Sequence, residues 1–215
     1  MAQQIYYHTE ELYGRPEVLS YVRKLKSKKD KFTLLDIGAS HNPFPKEFLT
    51  HTFDLRPIEI ENVHAFLGDI NNLNDWQQII NYVEIHGKFD FVNCTHTLED
   101  IAYPITALTM MPKIAKEGFI AVPSKYYELQ RRDAFRGGIH HRWIFDHKNG
   151  ELVAYPKISL LETMTFYPHG KTIEKNADQE LRMFWKDVIN FSIINNDYLG
   201  PTKEAVVDIY KNLMP

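Results

Sequence analysis

Apolar runs of strand length alternate, through the first part of the chain, with stretches whose apolar positions recur every three or four residues. The strand-length runs fall at residues 32–37, 50–55, 63–67, 89–94 and 119–122. Between them, Trp76, Ile79, Ile80 and Val83 predict a helix over 73–85, and residues 105–115 predict another that stops at Lys116, Glu117 and Gly118. Strands and helices in this order predict an α/β fold of βαβ units, a doubly wound and mostly parallel sheet with helices on both faces. Ahead of it, Leu12, Val18, Leu19, Val22 and Leu25 at helical spacing, with Pro16 suited to a first turn, predict one or two helices. The linker after the first strand holds Pro43 and Pro45, so its helix should begin late and be brief.

Past Val122 the rhythm changes. Residues 124–132 read as a short helix, broken at Arg136, Gly137 and Gly138. Residues 140–145 and 152–155 flank Asn149-Gly150, a pair that accepts positive φ at both central turn positions, and so predict a β-hairpin insertion. Two amphipathic stretches, 177–194 and 202–213, predict C-terminal helices on the outside. The chain divides into an N-terminal helical segment (1–31), a cofactor-binding core (32–124) and a substrate-side hairpin with helices (125–215), all within one domain.

A length of 215 residues with 44% hydrophobic positions is enough for one substantial core. Lysine plus arginine (25) nearly balances aspartate plus glutamate (28), which leaves no field that would select nucleic acid or a membrane surface. The lysines at 24, 26, 28, 29 and 31 read as a solvated helix end. Cys94 is the only cysteine, which excludes an internal disulfide, and the start of the sequence lacks the basic and apolar blocks of a signal peptide. No apolar run reaches the roughly 20 residues that span a bilayer. These features predict a cytoplasmic protein acting on a small molecule, with a homodimer left open.

Chemistry concentrates where the strands should end. The run Phe32-Thr-Leu-Leu-Asp36-Ile-Gly38-Ala-Ser40 reads as a buried strand delivering an acid and a tight turn to the carboxyl edge of the sheet, where open α/β folds bind ligands. Acids recur at the next two strand ends, Asp54 and Asp69, so the three should line one crevice. That spacing matches a nucleoside: one carboxylate for the ribose hydroxyls, one for the adenine amino group, with Ile70 against the ring. A dinucleotide would call for G-x-G-x-x-G after the first strand, and that pattern is absent.

Over 32–124 this series resembles the class I S-adenosylmethionine-dependent methyltransferases, in their small-molecule, type 11-like branch. Residues 36–40 follow the family's first motif, with Asp54 and Asp69 matching its second and third acids, and 89–100 and 110–124 match its fourth- and fifth-strand segments. The resemblance implies a Rossmann-like fold and S-adenosylmethionine as cofactor. It assigns cofactor contacts to Asp36, Gly38 and Ser40, to Asp54 and Leu55, to Asp69 and Ile70, and to Cys94 and Thr95. Ser40 and Asn42 stand where the family's turn carries glycine.

Methyl transfer from a sulfonium needs little beyond positioning and, for a hydroxyl acceptor, a base. The candidate bases are His96, just past the fourth strand, and His140 and His141; adjacent residues on a strand point to opposite faces, so one of this pair should enter the pocket. Glu99, Tyr126, Arg136, Arg142 and Trp143 are the candidate substrate-binding residues, with Arg142 and Arg136 suited to a carboxylate or phosphate. The expected reaction is methylation, at oxygen, of a sugar or other small polar metabolite. Two alternatives stay open: a binding or assembly protein that keeps the cofactor fold without transfer, and a metal-assisted enzyme in which His96, one of the pair and Glu99 or Asp133 converge. No ligand spacing supports a metal, so no metal ligand is assigned.

Overall fold

The structure, a computed structural model, describes residues 3–9, 15–132, 135–163, 179–194, 202–211 and 213. Five parallel strands form its centre: β2 (Leu34–Ile37), β3 (His51–Asp54), β4 (His64–Leu67), β5 (Phe91–Thr95) and β6 (Glu117–Pro123), in the spatial order β4-β3-β2-β5-β6. Beyond β6 the sheet continues through β11 (Glu180–Lys186) and ends on β1 (Gln3–Thr9), both pairings antiparallel. The predicted doubly wound, mostly parallel sheet is therefore present, and its outer strand is one that periodicity did not predict.

Alternation along the central strands sorts side chains onto two faces. Leu35, Ile37, Val92, Cys94, Ile120 and Val122 share one core with α2 (Gln77–His86) and α3 (Pro104–Ile114). Leu34, Phe91, Phe119 and Ala121 share the other with Val18 and Val22 of α1 (Pro16–Lys26). Full burial on both faces accounts for strands that read as continuous apolar runs. Each such side chain contributes about 1.5–3 kcal/mol.

Several expectations are corrected. No helix forms between β2 and β3. Residues 38–50 run as turns, because Pro43 and Pro45 lack amide donors and disfavour helical backbone just before them; Phe44, Phe48 and Leu49 cover the α1 face instead. The stretch 177–194 is not a helix where it is described: β11 and β12 (Phe191–Ile193) occupy it. In β11, Leu181, Met183 and Trp185 enter the α2/α3 core, while Phe184 packs on the α1 face, a period of two. Gly118 is not a helix stop but a strand residue, and a Cβ there would meet the Val92 carbonyl at 2.5 Å and the Trp185 ring at 2.7 Å.

The predicted hairpin forms, but its first strand starts at Trp143 and leaves residues 140–142 outside it. β9 (Trp143–Lys148) and β10 (Glu151–Pro156) pair antiparallel around Asn149 and Gly150, with φ of 51° and 82°. Parallel pairing of β10 with β12 makes a small three-stranded sheet. Its Trp143, Phe145, Leu152 and Ala154 pack on the main core, while Ile144, Val153 and Tyr155 meet Leu161 of α5 (Leu160–Thr163) and Tyr210 of α6 (Lys203–Lys211). The predicted helix over 124–132 is confined to α4 (Lys125–Leu129), followed by a two-stranded ribbon of β7 (Arg131–Arg132) and β8 (Phe135–Arg136). Among the described residues, no helix is long and apolar enough to cross a membrane.

Candidate functional site

Strand order reverses direction at β2, whose neighbours are β3 and β5, so the carboxyl ends of β2 and β5 define a topological switch point. A cavity of about 410 Å³ opens there, walled by the turn Gly38 to Asn42, by Thr95, His96, Glu99 and Asp100, and by Arg15, Pro123, Tyr127, His140 and His141. A smaller one, about 150 Å³, shares Arg15, Asn42 and Thr95 and extends toward α1.

The turn needs glycine at its start. Gly38 has φ +70°, donates its amide to the Phe53 carbonyl at 2.9 Å, and a Cβ there would lie 2.3 Å from Thr97 Oγ1. Ser40 also takes positive φ (43°), held by its amide donating to Asp54 Oδ2 at 3.0 Å. Asp54 Oδ1 accepts from the Arg56 amide at 3.2 Å. Both oxygens thus shape the turn, yet each keeps a second lone pair and the residue is only half-buried.

Asp36 is placed differently from the expectation. It sits opposite Asn93 in the β2/β5 register and points to the α1 face, 2% exposed, where Oδ1 accepts from Asn93 Nδ2 at 2.6 Å and Oδ2 from the Phe44 amide at 2.7 Å. Burial pushes its carboxyl up to about 6, against those two hydrogen bonds. It anchors the proline-containing loop and walls neither cavity. Asp69 Oδ1 accepts from both the amide and the side chain of Asn71, each at 2.8 Å. Ile70 is buried, and its carbonyl accepts from Trp76 Nε1 at 3.0 Å. Leu55 is 69% exposed, and Cys94 is fully buried in the core, its thiol pushed up by burial.

His96 stands at the end of β5 with φ +50°. Its Nε2 meets Glu180 Oε1 at 2.5 Å and its Nδ1 meets Glu99 Oε1 at 3.3 Å. Burial opposes charge on the ring, but the hydrogen bonds with Glu180 and Glu99 outweigh it and lift His96 to about 9. Glu180 also accepts from Arg15 at 2.7 Å and from Arg182 Nε at 2.6 Å, and Arg182 reaches Glu17 as well. This buried charge network ties β11 to α1 and β5. Glu99 is 1% exposed, burial raises its pKa, and its Oε2 has no hydrogen-bond partner among the described residues.

His140 and His141 lie in a turn ahead of β9, not on a strand, so the expected alternation does not apply. Both rings reach toward Asp100, with Nε2 to Oδ1 distances of 3.6 Å and 3.8 Å. The Nδ1 of His141 is hydrogen-bonded to Glu128, whose other oxygen accepts from Lys157 at 2.7 Å.

Of the expected substrate contacts, Glu99 lines the cavity and the others do not. Arg136 is buried and spends its Nε on the Leu161 carbonyl at 2.9 Å and its NH1 on that of Leu129 at 2.5 Å, which holds α4 against α5. Trp143 is a core residue donating to the Ile101 carbonyl at 2.9 Å. Tyr126 lies beside Lys125 while its neighbour Tyr127 walls the cavity, and the Arg142 side chain is exposed. Asp133, named for a metal, lies outside the described residues. Sequence reasoning missed Arg15, Glu128 and Glu180. For Glu180 a signal existed: opposite charges at 180 and 182 fall on one face of a strand.

No family model matches the chain, and no curated protein matches it in sequence. Solved structures that it is similar to include the MycE methyltransferase of the mycinamycin biosynthetic pathway in complex with Mg and SAH, at 11% identity over 90% of this chain and 54% of that one, TM-score 0.39. A methyltransferase candidate from Bacillus halodurans C-125 shares 11% identity over 80% of this chain and 99% of that one, TM-score 0.43. The N-terminal domain of EvdMO1 with SAH bound shares 11% over 90% and 69%, TM-score 0.37. The chain spans about half the length of MycE.

Proposed function

We propose that the protein is an S-adenosylmethionine-dependent methyltransferase acting on a small polar metabolite, with oxygen as the acceptor atom. The observation that carries this reading is the cavity at the switch point of the sheet, bounded by a glycine-started turn that is itself tied to an acid at the next strand end. Its volume suits a small molecule.

The residues present fit the cofactor. The Gly38 to Asn42 turn and Thr95 offer backbone at close approach, and the half-buried Asp54 keeps lone pairs for ribose hydroxyls, whereas Ile70 is packed into the core. Bound there, S-adenosylmethionine supplies an activated methyl group.

For the proton of a hydroxyl acceptor, Glu99 is a better base than His96. An imidazole lifted to about 9 is already protonated at neutral pH and has no lone pair to offer. It engages one oxygen of Glu99, and the buried second oxygen has no donor among the described residues, a place an acceptor hydroxyl would fill. His96 is then a positioning residue.

Calorimetry tests this directly. S-adenosylhomocysteine should bind the purified chain at one site, and Asp54→Ala should weaken it about tenfold, the worth of a ribose hydrogen bond to a carboxylate. Absence of binding by both S-adenosylmethionine and S-adenosylhomocysteine overturns the reading. Glu99→Gln should retain cofactor affinity and lose turnover on acceptors that the parent methylates.

A further inference from the structure

We propose that Asp100, His140 and His141 form a site for one divalent first-row transition metal ion, with zinc as the reference ion, at the mouth of the larger cavity. Their ligand atoms, one carboxylate oxygen and two imidazole nitrogens, all lie within 4.8 Å of one another, and they are the only such group of three among the described residues. Ligands about 2.1 Å from a tetrahedral ion stand about 3.4 Å apart. The observed 3.6 Å and 3.8 Å are close to that spacing and too long for hydrogen bonds. The two histidines and the acid are therefore gathered around a gap rather than bonded to each other.

A second observation points the same way. Glu128, fully buried, takes the Nδ1 of His141, which fixes that ring's orientation and leaves Nε2 as the nitrogen turned toward Asp100. A carboxylate behind a histidine in this manner is the usual support of a metal-ligating imidazole. Lys157 holds Glu128 in turn, and the ring is wedged against the backbone: a Cβ on Gly138 would lie 2.4 Å from His141 Cε1. A histidine without a task does not require a buried carboxylate, a lysine and a close-packed glycine to aim it. Two nitrogens and one oxygen suit zinc, iron or nickel better than magnesium, calcium or manganese, which prefer all-oxygen sites. Since all three ligands also wall the cavity, the ion's remaining position opens onto it.

This ligand set differs from the convergence of His96 and Glu99 considered from sequence, because His96 is committed to two carboxylates. The test is calorimetric titration of zinc chloride into the chelator-treated full chain, without cofactor or acceptor, so that its result is independent of methyl transfer. One ion per chain is expected. His140→Ala and Asp100→Asn alter side chains that are 69% and 41% exposed, which keeps folding out of the question. Each should weaken binding more than tenfold. His147→Ala, an exposed histidine outside the cluster, should leave it unchanged. With cobalt as the probe, visible ligand-field bands should appear in the parent and be lost in His140→Ala. No stoichiometric zinc binding by the parent, indifference to His140→Ala and Asp100→Asn, or an equal loss in His147→Ala would overturn the proposal.

Discussion

Two histidine environments face each other across one cavity, and the contrast lies in how their carboxylates are spent. His96 is enclosed: both its nitrogens meet buried acids, and Glu180 simultaneously holds Arg15 and Arg182. Across the opening, Asp100 has no hydrogen bond to either ring near it, and only the far side of His141 is tied down. A closed network with its charges matched fixes structure; an open one, oriented from behind, is available to a ligand. The same residue type thus serves stability in one place and recognition in the other.

Removing a carboxylate from each environment should separate them most widely. Glu180→Gln leaves Arg182 buried and facing a neutral amide, and breaking buried pairs in this way costs about 3–5 kcal/mol. Asp100→Asn, at an exposed side chain without a close ion pair, should stay within about 0.5 kcal/mol. Urea unfolding measures both, and equal losses would erase the distinction.

Proton linkage gives the next largest effect. An unfolded histidine titrates near 6.5, whereas His96 is lifted to about 9 in the fold by Glu180 and Glu99. The stabilisation is fully present below about pH 6.5 and is lost as pH rises through about 9. The melting temperature of the parent should therefore fall across that window, and that of His96→Gln should fall much less. Ring-proton resonances of His96 that move near pH 6.5 would contradict the enclosed arrangement. The smallest effect belongs to His140→Ala, expected to shift melting by no more than a degree or two without metal, since its ring is mostly solvated.

Much of the central sheet was legible because β2, β5 and β6 are buried on both faces, and such strands read as unbroken apolar runs whatever surrounds them. The outer part was not. β11 mixes Leu181, Met183 and Trp185 with Glu180 and Arg182, all buried, and buried charges disguise the alternation that identifies a strand. For the site, the three strand-end acids were legible as positions, but none of them walls either cavity: alternation along β2 turns Asp36 to the α1 face, where it meets Asn93. The role of Glu128 was out of reach from sequence. Its partners, His141 and Lys157, come from a turn and from the end of a hairpin that only the folded chain brings together.

The position of β11 has a consequence for the order in which the molecule can be completed. Its partners in the sheet are β6, about sixty residues earlier, and β1, close to the start of the chain. During synthesis the parallel strands can pair well before β11 emerges, leaving β6 as a bare, apolar edge and β1 without its strand. Loop closure over such separations is slow, so an arrested or truncated chain should be prone to self-association through that edge. The same late strand carries Glu180, the partner of His96. A nascent chain therefore lacks the carboxylate that joins His96 to Arg15 until the strand between β1 and β6 is in place.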